Sequence, residues 1–450
     1  MVKDTHTYDS KGAVMEQRNW ATKIFIFSLH GTLFLAITGV LVAGVPAYRF
    51  LLPLLAVTFF SQGDWVDTAA GVMKNRLFIP LWAWLAFALL SLLWVQDFSL
   101  AVRNIYFLAL GIGLIIIFHV RPEQAKKLVL TVAAAAAVIV IIGVVEHFTG
   151  FHLPMSIYYG SGSQIPTSVF HNPNDFAFFL SLYAWLFVAL ANATSGKLLG
   201  VASWLVFASA IILVPLTRSR GAMLALAIQV AVLTAILCVK ALLHILRKER
   251  GKGVASQVRM SLLAIAIIAA LCLVLLSSMD SAKSIFPFLE VLSSGDINYY
   301  KEGIQEIFGV ARWNLAQNGF AMLRDSNYLG VGAGNVEAYM GQYSQTHYSV
   351  GRLVNVHNWW IEVPVNYGLP GLILYGMFVL NIFWGLLKVV VRRDRNSILG
   401  VAGIVALAGF VFSAMSPSSI MAIRPHWVMY GLLSVLSVPG FFTDTSQNPK

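Results

Sequence analysis

The chain has 450 residues, of which 58% are apolar and only 11% are Asp, Glu, Lys or Arg. A water-soluble protein carries roughly 25% charged residues, so this composition excludes a soluble globular fold and gives most of the surface to lipid. On such a chain the formal charge of +11 reports membrane topology and not nucleic-acid binding.

Residues 1–22 are read as a cytoplasmic tail, polar at its start, with no cleavable signal sequence. Twelve apolar segments follow, at 23–43, 48–61, 77–95, 100–119, 127–147, 175–194, 197–216, 221–246, 260–277, 368–391, 397–414 and 425–442. The second is the shortest. About 20 apolar residues cross a bilayer as a helix, and continuous apolar runs without alternation are helices and not barrel strands. The expectation is an all-α polytopic membrane protein of about 12 transmembrane helices. Helices 1–9 fall in 23–277 and helices 10–12 in 368–442, with a large external loop at 278–367 and a cytoplasmic tail at 443–450. With the N-terminus in the cytoplasm, roughly two thirds of the 31 Lys and Arg lie on the cytoplasmic side, as the positive-inside rule requires. Cys238 and Cys272 sit in apolar runs and read as small core residues, not as a disulfide or metal pair.

Two external segments break the pattern of short connections. The first, 148–174, contains Phe170-His171-Asn172-Pro173-Asn174 and runs on into Asp175. The second, 278–367, is long enough to be functional. Within it Tyr300–Arg324 reads as an amphipathic helix, with Ile304, Ile307, Phe308, Ala311, Leu315 and Phe320 at helical spacing. Gly330-Val331-Gly332-Ala333-Gly334-Asn335 has Asn where a dinucleotide loop needs its third glycine. It reads as a turn with a sugar or phosphate contact.

The informative cations are those on the side where cations are disfavoured. Thr217-Arg218-Ser219-Arg220-Gly221 stands at the external end of two spans. The plain alternative is a pair of interfacial arginines reaching for headgroups. The chemical reading is an anion clamp, because guanidinium forks match phosphate oxygens and stay charged at any relevant pH. Arg312, beside Trp313, adds a third cation and Arg352 a fourth. His357-Asn358 follows Asn355 where the large loop re-enters the membrane, and Trp359-Trp360 read as part of an aromatic belt. Next to arginines an imidazole stays neutral and can accept a proton at pH 7. No acidic cluster with metal-ligand spacing is visible, so the site is read as metal-free.

Together, His357-Asn358-x9-Gly368-x-x-Gly371, the Thr217–Gly221 arginine pair, Arg312-Trp313, Gly330–Asn335 and Asn172–Asp175 resemble the O-antigen ligase and polymerase superfamily of bacterial inner membranes. The resemblance covers about 165–375 and the twelve-helix layout. It implies transfer of a glycan from undecaprenyl diphosphate to lipid A–core at the periplasmic face, by a monomer in membrane lipid and without a cofactor. It also implies a fold similar to other lipid-linked glycosyltransferases, and single displacement with inversion. On that basis Arg218, Arg220 and Arg312 are expected to hold the diphosphate, and His357 to take the proton of the acceptor hydroxyl. Asn174, Trp313, Asn335, Arg352 and Asn358 are expected to contact substrate. An O-antigen polymerase, whose acceptor is a second lipid-linked glycan, is the nearest alternative, and a protein O-glycosyltransferase the next. A secondary transporter is the alternative from another class, but the span centres hold almost no Asp or Glu.

Overall fold

The computed structural model describes residues 9–42, 45–194, 196–246, 310–391, 397–417 and 419–438. The expected ninth span at 260–277, and the large loop up to residue 309, lie outside the described residues. So do Cys272 and the first half of the expected Tyr300–Arg324 helix.

The chain is an all-α polytopic membrane protein. Its helices run α1 Asp9–Thr38, α2 Tyr48–Phe60, α3 Trp65–Lys74, α4 Ile79–Leu90, α5 Phe98–Val120, α6 Ala125–Thr149 and α7 Pro173–Ala193. They continue as α8 Lys197–Leu216, α9 Arg220–Leu246, α10 Val310–Asp325, α11 Val336–Thr346, α12 Trp359–Val391, α13 Ser397–Ser413 and α14 Arg424–Leu436. A two-residue antiparallel bridge, Leu41–Val42 with Val45–Pro46, links α1 to α2. Among the described residues seven helices are long and apolar enough to cross a membrane, or eight if the bent pair α3–α4 counts as one. The expected twelve are therefore not all reproduced. Helices α2 and α14 have 13 residues each and α13 has 17, short of a full crossing.

Helix α3 lies in a stretch expected to be a plain cytoplasmic connection. It has Asp67 in its first turn and Lys74 in its last, charges that suit the helix dipole, and it meets the Ile79–Leu93 segment at 89°. Asp64, just before it, accepts both arms of Arg121 at 2.5 and 2.7 Å. That fork ties α3 to the turn between α5 and α6.

Helix α7 is buried on nearly every side and packs on α8, α9 and α13. Gln229 of α9 donates to the Ser181 carbonyl at 2.7 Å, and Gly409 of α13 leaves room for its amide. Trp84, Trp359, Tyr367, Tyr375 and Trp427 form a second core between α4, α12 and α14. Trp359 is 1% exposed and stacks edge-on against His426 at 5.3 Å. It is a core residue, not the belt residue the sequence suggested, because α12 begins at Trp359, nine residues before the expected apolar run at 368–391.

Helices α10 and α11 build a small separate core of Leu315, Met322, Leu323, Val336 and Met340, closed by Ile361 and Val365 of α12. The face expected for this region is rotated. Leu315 is buried, but Ala311 is exposed and Phe320 is 55% exposed. Helix α12 thus serves two cores, and Gly368 (φ 66°, ψ −173°) breaks it where the tenth span was expected to begin. The break brings two chain segments into backbone contact. A Cβ on Gly368 would lie 2.4 Å from the Tyr328 carbonyl oxygen, and one on Gly330 (φ 83°) 2.4 Å from the Gly368 nitrogen. Leu369 N–H donates to the Tyr328 carbonyl and Val331 N–H to that of Val365, at 2.9 and 2.8 Å.

Replacing Gly368 with Ala adds a left-handed penalty of about 1–2 kcal/mol to a clash with backbone that cannot rotate away. We expect Gly368→Ala to lose at least about 3 kcal/mol of stability. Thermal unfolding of the detergent-solubilised chain checks this, and a variant with unchanged melting would show that the contact tolerates a side chain.

Candidate functional site

The turn between α8 and α9 is built by Thr217 and Arg218. Thr217 Oγ1 donates to the Val214 carbonyl at 2.6 Å and accepts from Ser219 N–H at 3.3 Å. Arg218 takes a left-handed backbone (φ 57°) and donates its N–H to the Pro215 carbonyl at 2.9 Å. The turn buries Ser219 and leaves the Arg218 and Arg220 side chains exposed. Helix α9 then starts at Arg220.

Across from this turn runs the link between α13 and α14, in which Ser416 is 3% exposed. Its Oγ lies 3.5 Å from Ser219 Oγ and donates to Asn174 Oδ1 at 3.5 Å. Its carbonyl accepts from Arg312 Nη2 at 3.4 Å. A Cβ on Gly221 would come 3.1 Å from Ser416 Oγ, so glycine allows α9 to approach the link. One residue of the link therefore touches the α8–α9 turn, the start of α7 and α10.

Asn174 is held ready by the cap of its own helix. Asn172 Oδ1 accepts Asp175 N–H at 3.0 Å, its amide returns to Asp175 Oδ2 at 2.8 Å, and Pro173 fits the first helical turn. Upstream, Glu146 Oε2 accepts the N–H groups of Thr167 and Ser168 at 2.7 and 2.5 Å and fixes the end of the 150–172 connection. His152 lies 3.4 Å from the other oxygen of Glu146. This buried anchor was not anticipated from the sequence.

His357 also has a left-handed backbone (φ 54°) and is half-buried. Asn358 caps α12, with Oδ1 accepting Trp360 N–H at 3.0 Å and its carbonyl accepting Glu362 N–H at 2.8 Å. Trp359 N–H donates to the Ala414 carbonyl at 3.1 Å, which pins the histidine segment to the Ser416 link. Burial, then the positive charge of Arg312, pushes the His357 imidazole down to about 4. Arg312 is itself pushed below the usual guanidinium value, by burial and then by the charge of Arg220. Arg220, Arg312 and His357 thus lie within electrostatic reach of one another in that order.

Other residues singled out in the sequence stand differently. Arg218 and Arg352 are exposed, and no hydrogen bond or ion pair of their side chains is formed among the described residues. Trp313 is half-buried on α10 beside Arg312. Asn335 is fully buried, and its side chain is spent. Oδ1 accepts Asp97 N–H at 2.7 Å, while the amide donates to the Asp97 and Ala333 carbonyls at 3.1 and 2.9 Å. The glycine-rich stretch before it packs its backbone on α12 and α5. Its shape serves packing.

Ser416, and the part Ser219 plays in meeting it, were missed. Glu362 is buried on α12, and its Oε1 accepts Ser419 Oγ at 2.5 Å. The available signal was the polar run Ser416-Pro417-Ser418-Ser419 between two apolar segments, on the side that also carries Arg424.

Comparison with known proteins places this geometry. Residues 205–376 match the family model described as O-antigen ligase. Over 386 residues the chain is 28% identical to the teichuronic acid biosynthesis protein TuaE of Bacillus subtilis (strain 168), covering 81% of this chain and 74% of that protein. The matched region runs from α8 to α12 and contains the two arginines of the turn, Arg312, His357 and the Gly368 break. Asn174 and the Ser416 link lie outside it. Both matches support the resemblance read from the residues, and over 205–376 the chain is similar to the O-antigen ligase family.

Proposed function

We propose that the chain transfers a glycan from a polyprenyl diphosphate carrier to a sugar hydroxyl at the external face of the membrane, without a metal. The observation that carries this reading is the gathering of Arg220, Arg312 and a neutral His357 around Ser416. When the acceptor oxygen attacks the anomeric carbon, the bond to the diphosphate breaks and its electrons stay on the leaving group. Arg220 and Arg312, with Arg218 on the same turn, stabilise that charge. His357 takes the proton of the attacking hydroxyl, and inversion follows from a single displacement.

Preorganised donors of this kind are worth about 3–4 kcal/mol each in a dry site. Asn174, which meets Ser416, and Trp313, next to Arg312 in the chain, contact the donor in this reading. Asn335 and Asn358, committed to packing and capping, act on substrate only by holding the site's shape, and Arg352 steers anions from the outer surface.

In the reading closest to the family description the donor is an undecaprenyl diphosphate glycan and the acceptor is lipid A–core, in the bacterial inner membrane with the site facing the periplasm. A second reading has a specific support. The relative is named for teichuronic acid biosynthesis and not for lipopolysaccharide, which favours a polymerase whose acceptor is a second lipid-linked glycan. Purified chain given the donor with either lipid A–core or more donor separates the two by the product formed.

Lysine keeps the charge but loses the fork, so Arg220→Lys and Arg312→Lys should each lower the transfer rate about 100-fold. Arg218→Lys should cost less, since its side chain stands exposed. Equal, near-normal rates for all three would reduce the arginines to surface charge. His357→Ala should lower the rate at least about 100-fold.

A base works when deprotonated, so activity is present above its pKa and lost as pH falls through it. Because burial and Arg312 hold His357 at about 4, kcat/KM should stay flat from neutral pH down to well below 6.5, then fall. The His357→Ala variant should lack that acid limb. A wild-type midpoint at or above 6.5 would contradict the assignment.

A further inference from the structure

We infer that the hollow lined by Glu362, Glu337, Asn366, Asn104, Asn355 and Ser419 is a subsite for a neutral, hydroxyl-rich acceptor sugar. This rests on the proposed function and adds the chemical class of the acceptor group. The hollow lies where α5, α11, α12 and the α13–α14 link meet. Its wall also includes Asn355 and Val356, the two residues before His357, and Ser419 stands three residues beyond the residue that holds Arg312.

The two sides of this region differ in electrical character. Around Ser416 the named charges are guanidinium groups. In the hollow they are two acidic side chains, Glu337, paired with Arg103 at 2.8 Å, and the buried Glu362. The residues lining it include no cation to hold a diphosphate. A sugar needs none, because its hydroxyls donate to carboxylates and accept from carboxamides.

The polar groups are not all consumed by packing. Asn366 is: it donates to the Glu362 carbonyl at 3.1 Å and accepts Val336 N–H at 3.3 Å. Asn104 accepts the Tyr367 hydroxyl through Oδ1, which leaves its amide donors. Glu362 accepts Ser419 Oγ through Oε1 and a backbone hydrogen bond from Ile420, which leaves part of the acceptor capacity of a side chain only 7% exposed. The hollow is small and takes one edge of a pyranose, a hydroxyl or hydroxymethyl group, with the rest of the glycan outside. A hexuronate turned inward would meet acidic groups and no cation among the lining residues. The site therefore discriminates the acceptor's edge, while the arginines hold the donor.

The test uses the full chain in detergent with Glu362→Gln and Glu337→Gln, which keep side-chain size and remove charge. Each should raise the acceptor KM about tenfold, the loss of one charge-assisted hydrogen bond, and leave the donor KM unchanged. Unchanged acceptor KM in a folded Glu362→Gln, or a donor KM that rises with it, would overturn the assignment. Should Glu362→Gln fail to elute as a monodisperse peak, Glu337→Gln at the rim decides alone. Binding is read separately by saturation-transfer NMR with methyl glucoside, methyl galactoside, methyl N-acetylglucosaminide and methyl glucuronide. At least one neutral glycoside should give signals that Glu362→Gln abolishes. No neutral signal, or an equal one from the glucuronide, rejects the subsite. If the wild-type chain transfers no glycan while the neutral glycosides bind, the functional reading fails and the subsite survives.

Discussion

Two guanidinium groups held within reach of each other are an unfavourable arrangement, and the rest of the site is organised around it. Arg312 is partly buried, feels the charge of Arg220, and donates to a neutral carbonyl and not to a carboxylate. A carboxylate there would neutralise the pair and remove its attraction for anions. In the proposed reading an anionic leaving group eases this repulsion, so the interaction strengthens as negative charge develops. The charge of Arg312, added to burial, lowers the His357 pKa. On that reading one electrostatic arrangement serves both halves of a displacement.

Such a site must be held from outside, since its own charges push apart. The Ser416 link does this by touching α7, the α8–α9 turn and α10, while its neighbour Ala414 takes the first N–H of α12. Beneath it Trp359 is locked among Trp84, Tyr375, His426 and Trp427. His357, the proposed base, therefore stands two residues from a rigid aromatic core. On the outer side, the Gly330–Gly368 contact sets where α10 and α11 sit over the bundle. Rigid elements carry the precision that a loop alone would lack.

Much of this was legible in the sequence, for identifiable reasons. Long apolar runs betray helices in lipid, so the helical fold and most of the helix limits were readable. Gly368 was placed correctly because a glycine before an apolar run marks a break. The arginines and His357 stood out because charge is scarce in this chain. The role of Asn335 was not legible. A buried carboxamide satisfying three backbone groups and one touching sugar have the same sequence signature. The Ser416 link was equally opaque, because its decisive contacts are a carbonyl and a short hydroxyl that any Ser could supply. The rotated face of α10 was misread because part of its apolar pattern does not point into the small core it shares with α12.

Arg218 and His357 share an unusual property: both are side-chain-bearing residues in left-handed backbone. Each such residue stores about 1–2 kcal/mol of local strain, and here they stand just before α9 and just before α12. Glycine or asparagine would relieve that strain but would remove the guanidinium and the imidazole. Durability and the proposed turnover therefore pull in opposite directions at these two positions, so stabilising efforts on this molecule belong in its bundle.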